Sequence, residues 1–170
     1  MQLVLINLVF MGFESINDAK IQELLALSKR VTNPKARATT KSQHIEYNYN
    51  VVDSVSGDIS FNIYVRQNTQ IEEDFSCGLR WNMPSGEVIT LARYNGSSHS
   101  HENKIEREKL EFVCHIHLAT ERYIAIGKKS EGFAKATDAY STYKGALYCL
   151  VKDCNISGLN PEPDQPNLFS

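Results

Sequence analysis

Four of the five histidines lie between positions 99 and 117. They form two pairs of identical spacing, His99-Ser100-His101 and His115-Ile116-His117. On a strand, residues i and i+2 point to one face with Cα atoms roughly 6.5–7 Å apart. Two imidazoles so placed can converge on one ion. Zinc–nitrogen bonds of about 2.0–2.1 Å in tetrahedral geometry suit such a set. Four ligands, His99, His101, His115 and His117, would close the coordination sphere and make the site structural. Three would leave a position for water and permit hydrolysis. Neutral imidazole also suits copper, iron and nickel, and zinc is the expected structural ion. Glu102 and Asn103 can replace or support a ligand. Cys114 alternates to the face opposite His115 and His117, which makes it a poor one.

The same histidines admit a second chemistry. Glu121-Arg122-Tyr123 follow His117 closely. A small ribonuclease uses His or Glu as base, Arg to hold phosphate, and Tyr, groups that His117, Glu121, Arg122 and Tyr123 would supply; a small metal-dependent hydrolase would use the His99, His101, His115 and His117 cluster itself. The plainer reading of these residues is a solvated strand end with Tyr123 packed inward. Arg66, Arg80, Trp81 and Arg93 form a contact patch if they share a face.

The elements that must position these residues are read from periodicity. Residues 15–31 carry a helical stripe through Ile16, Ile21, Leu24 and Leu25, with Ser15 as cap and Asn33-Pro34 as stop. The period then changes from 3.6 to 2. Strands are predicted over 44–52, 59–66, 75–81 and 88–94, separated by turn chemistry such as Pro84-Ser85-Gly86. A polar loop from Asn95 carries the first histidine pair. A fifth strand over 110–118 carries the second, and 122–127 extends it or starts a sixth. A helix over 133–153 follows, with its stripe through Tyr140, Tyr143, Leu147, Leu150, Val151 and Cys154. Gly145 inside it implies close packing on the sheet. The predicted fold is α+β: an antiparallel β-meander of about five or six strands, with an N-terminal and a C-terminal helix packed on one face.

Composition narrows the class. The chain has 170 residues, 42% of them hydrophobic, and a net charge of -2. It reads as a single domain over 1–170, with an apolar segment at 1–14 and a Pro-rich tail at 155–170. The apolar run is too short to span a membrane and lacks the marks of a secretory signal. Met11 is an alternative natural start. Cys77, Cys114, Cys149 and Cys154 contain no CxxC pair, so they read as reduced thiols of a cytoplasmic protein. The near-neutral charge argues against direct nucleic-acid binding as the main task.

The segment His115-Ile116-His117-Leu118-Ala119 resembles part of the histidine-triad nucleotide hydrolase signature, with Ala119 where the third histidine belongs. The runs RYNGSSHSHEN and HIHLATERY, and the DCNI after the last helix, resemble a family of small prokaryotic and prophage proteins over residues 15–157. The chain also looks like a zinc-containing type II anti-CRISPR protein, a phage-borne inhibitor of the Cas9 effector. That resemblance implies a non-enzymatic, metal-stabilised protein that acts by protein contact in the bacterial cytoplasm. It also implies metal at His99, His101, His115 and His117.

Overall fold

The computed structural model describes residues 16–165. The apolar segment 1–14, the Ser15 cap and Met11 lie outside them. The first helix, α1 (Asp18–Ala26), is capped by Asn17, whose side chain accepts from the Lys20 N–H at 2.9 Å. It buries Ile21, Leu24 and Leu25. The stripe predicts helix as far as residue 31, but the backbone leaves it at Leu27. Residues 29–31 are claimed instead by a strand, β1 (Lys29–Val31). Periodicity within one segment carries no information about such long-range pairing.

The chain then forms β2 (Thr39–Lys41), β3 (His44–Asp53), β4 (Ser60–Asn68), β5 (Phe75–Asn82) and β6 (Val88–Asn95). The last four begin and end within two residues of where alternation places them, and each pairs antiparallel with the next. Phe61, Ile63 and Val65 alternate into the core from β4, as Phe75, Cys77, Leu79 and Trp81 do from β5. A bulge at Leu79/Arg80 shifts the register against β6, and both Leu91 and Ala92 become buried.

Next come β7 (His101–Asn103), β8 (Glu108–Leu110) and β9 (His115–Leu118). The segment predicted as one strand over 110–118 is thus broken, and β7 and β8 pair as a separate hairpin. Where 122–127 is predicted as strand, a short helix α2 (Glu121–Ala125) forms instead, ending before Gly127 at φ +68°. The helix predicted over 133–153 divides into β10 (Phe133–Ala136) and α3 (Tyr143–Asp153). The unpaired edge of β9 takes β10 as its partner. Last is β11 (Ile156–Ser157), parallel to β1 and drawn from the segment predicted as tail.

The architecture is mixed α+β. Nine strands form one sheet in the order β10-β9-β6-β5-β4-β3-β1-β11, with β2 beside β3. This exceeds the predicted five or six because β1, β2, β10 and β11 arise from segments read as helix, loop or tail. Helix α3 packs on β4, β5 and β6, and α1 contributes to the same buried cluster. Gly145 meets Asp164 rather than the sheet. The Asp164 carboxylate accepts from the Ser141 and Thr142 N–H groups at the start of α3. All four cysteines are free thiols. Among the described residues no helix is long and apolar enough to cross a membrane.

Candidate functional site

Strand alternation splits the sheet into two chemical faces. Cys77 and Leu79 point toward α3, and the Cys77 thiol lies 3.5 Å from the Tyr143 carbonyl. The alternate residues form the reverse face. There His115 lies opposite Asn95, and His117 lies opposite Arg93. Arg93 in turn faces Gly78, and Gly78 faces Tyr64. A Cβ at Gly78 would overlap the Tyr64 ring. The absence of that carbon lets Tyr64 lie flat on the face, with the Arg80 guanidinium 4.2 Å above it. Arg66, Arg80 and Arg93 therefore share a face. Trp81 does not join them; it sits on the core side at 6% exposure.

The structure brings the four clustered histidines together. The His115 and His117 ring centroids are 4.9 Å apart, His101 is 4.5 Å from His117, and His99 is 5.2 Å from His115. His115 and His117 are fully buried, His101 is half-buried and His99 is exposed. His115 Nδ1 lies 2.8 Å from the Val113 carbonyl, and His117 Nδ1 lies 2.9 Å from the Glu131 carbonyl. A carbonyl oxygen only accepts, so both Nδ1 atoms carry the proton. Each ring is left with its lone pair on Nε2. Both Nε2 atoms aim at one point, lying 3.4 Å from Asn95 Nδ2, and His117 Nε2 is also 3.3 Å from Arg93 Nη2.

His101 is held differently. Its Nε2 lies 3.1 Å from both the Gly132 carbonyl and Asn103 Oδ1, so Nε2 carries the proton and Nδ1 the lone pair. Asn103 is fully buried and clamps β10, accepting from the Ala134 N–H and donating to its carbonyl, each at 2.8 Å. It thus supports His101. Glu102 does not, since it is exposed and pairs with Lys104. Cys114 packs against the core cluster, away from the histidines.

With these orientations no three His, Cys, Asp or Glu side chains among the described residues could hold a metal ion as they stand. Two ring nitrogens converge, and the other two rings stand beside them. The second proposed chemistry is dispersed. Glu121 opens α2 and turns toward the start of α1, its backbone N–H donating to Asp18 Oδ1 at 2.8 Å. Arg122 pairs with Glu106 and lies over Phe133. Neither has a hydrogen bond or ion pair with His117.

Electrostatics keep the inner rings neutral. Burial, reinforced by the Arg93 guanidinium, pushes His117 down to about 2. Burial also lowers His115 and His99. Neutral imidazole is the ligating form. The unfolded chain binds protons on these histidines below about pH 6.5, whereas the folded chain resists them. Stability from this cluster is therefore present above pH 6.5 and lost as pH falls below it. Melting temperature is expected to drop between pH 7.5 and pH 5, and a flat profile across that window would contradict this account.

Several contributors escape sequence reasoning. Glu131 and Gly132 act through backbone carbonyls, which carry no side-chain signal. Asn95 belongs to β6, although its residue type reads as loop. Its Oδ1 is buried without a hydrogen-bond partner among the described residues. In comparisons with known protein families, with curated proteins and with solved structures, nothing matches the chain.

Proposed function

We propose that this chain is a non-enzymatic binding protein that holds its loop and sheet in binding shape with a structural metal ion at His99, His101, His115 and His117. The observation that carries this reading is the pairing of both buried Nδ1–H groups with backbone carbonyls. Metal-ligating histidines almost always spend their second nitrogen in this way, which fixes the ring and aims the lone pair. Zinc is the ion best suited to neutral imidazole in a closed site.

Ligation would require Asn95 and Arg93 to release the two Nε2 atoms. It would also require the rings of His101 and His99 to turn their lone pairs inward. Asn95 Oδ1 is buried without a hydrogen-bond partner among the described residues, so a turn of that amide breaks no bond at its oxygen. A four-histidine sphere leaves no position for substrate or water, and the remote placement of Glu121 and Arg122 also favours a non-catalytic role.

The partner in this proposal is a protein. The resemblance to type II anti-CRISPR proteins suggests a Cas9-class effector in the bacterial cytoplasm, inhibited by covering part of its surface. The test adds purified chain to a reconstituted Cas9-class nuclease with guide and target DNA. Dose-dependent loss of cleavage together with a co-eluting complex is expected. Neither complex nor inhibition would overturn the proposed partner. Turnover of a phosphodiester by the chain, abolished in a folded His115→Ala variant, would overturn the non-enzymatic reading.

A further inference from the structure

Beside the histidine cluster, the reverse face of the sheet opens into a cavity of about 320 Å³ with a mostly polar, cationic lining. Arg66, Arg93 and Lys129 contribute three cations, with His44 and His99 beside them. Asp74 is the one carboxylate in the lining. It is engaged locally: Asn68 Nδ2 donates to its Oδ2 at 2.9 Å, and His44 Nε2 stands 3.9 Å from the same oxygen. Such a lining attracts anions.

The donors on these cations are largely unspent. Arg93 has five N–H bonds to place. Nη1 reaches Glu131 at 3.6 Å and Nη2 reaches His117 at 3.3 Å, both long. Its Nε is buried with no partner among the described residues. Arg66 touches His44 Nδ1 at 3.4 Å and forms no ion pair among the described residues. The carboxylate across the strand from it, Glu46, is taken by Lys41 at 3.1 Å. Lys129 is exposed and likewise without an ion pair among the described residues. Two guanidinium groups and an ammonium around one polar cavity match the charge of a phosphate dianion and supply the donor types that bind its oxygens. A carboxylate would answer one fork and leave the other unmet. The volume also exceeds what a bare phosphate needs and lies in the range of small-molecule sites.

We propose that this cavity binds the phosphate group of a small phosphate monoester, with Arg66, Arg93 and Lys129 as its ligands. The cavity shares Arg93, Asn95 and His99 with the histidine cluster, but phosphate binding and metal content are read separately, so failure of one is distinguishable from failure of the other. Titration calorimetry on the purified chain would use inorganic phosphate, adenosine 5′-monophosphate, adenosine and an unphosphorylated single-stranded oligonucleotide. Saturable binding of the monophosphate is expected, with none of adenosine. Arg66→Gln and Lys129→Gln, both exposed and remote from the core, should each weaken it by roughly tenfold with unchanged melting temperature. No binding of either phosphate species at millimolar concentration would overturn the proposal, as would binding indifferent to both substitutions. Tighter binding of the oligonucleotide would replace a monoester with a nucleic-acid strand and so overturn it too.

Discussion

Replacing His117 with alanine is expected to remove bound metal and to lower the melting temperature by about 6–20 °C. The ring is 1% exposed, so truncation leaves a cavity in addition to unmet polar groups. The Glu131 carbonyl loses its donor, and Arg93 Nη2 and Asn95 Nδ2 lose an acceptor. Truncating a buried ring costs about 3–5 kcal/mol. At about 2–4 °C per kcal/mol for a domain of this length, that gives the stated shift. His99→Ala provides the contrast, because His99 is exposed and its nearest polar neighbour is Ser98 at 3.3 Å. It should weaken metal binding while leaving the metal-free protein close to its original stability. A chelator should destabilise the natural chain and have no further effect on the His117 variant. A His117→Ala protein that melts within a degree or two of the parent would refute the account of this side chain.

A comparable loss is expected from Lys29→Met, at a position far from the histidines. Lys29 is fully buried. Its ammonium donates to the Leu25, Leu27 and Cys154 carbonyls at 2.9, 2.7 and 2.8 Å. These carbonyls lie at the C-terminal ends of α1 and α3, where backbone oxygens lack helical partners. Burial lowers the amine to about 8, partly countered by the neighbouring Cys154. Methionine keeps much of the stem and removes every donor. Three orphaned carbonyls at about 1–3 kcal/mol each outweigh the relief of desolvating a charge, for a net loss of about 3–5 kcal/mol. Denaturant unfolding would measure it, and a variant as stable as the parent would show that the ammonium is not the staple described.

Lys29 also marks a limit of sequence reading. It lies within a segment whose apolar spacing predicts helix to residue 31, and its burial depends on Cys154 and on β11 at the other end of the chain. The strands from β3 to β6 were legible because Ile45, Tyr47, Tyr49 and Val51 and their successors alternate against a core. β10 was not legible: Phe133–Ala136 is too short to show a period, and it is fixed by β9 and by the buried amide of Asn103. The pair His115 and His117 was legible because i,i+2 spacing on β9 puts both rings on one face. Their neighbours Arg93 and Asn95 required the register between β6 and β9, which local patterning does not supply. The arginine patch was legible in part. Arg66, Arg80 and Arg93 share a face, and the alternation that puts Arg80 there sends Trp81 into the core.

Whether the histidine cluster holds a metal ion decides the proposed function. Elemental analysis of untagged protein, purified without chelator and run beside the His99, His101, His115 and His117→Ala quadruple variant, tests it most directly. About one zinc per chain is expected in the natural protein and none in the variant. A natural chain free of transition metal would contradict it and leave His115 and His117 as buried polar residues satisfied by Asn95 and Arg93.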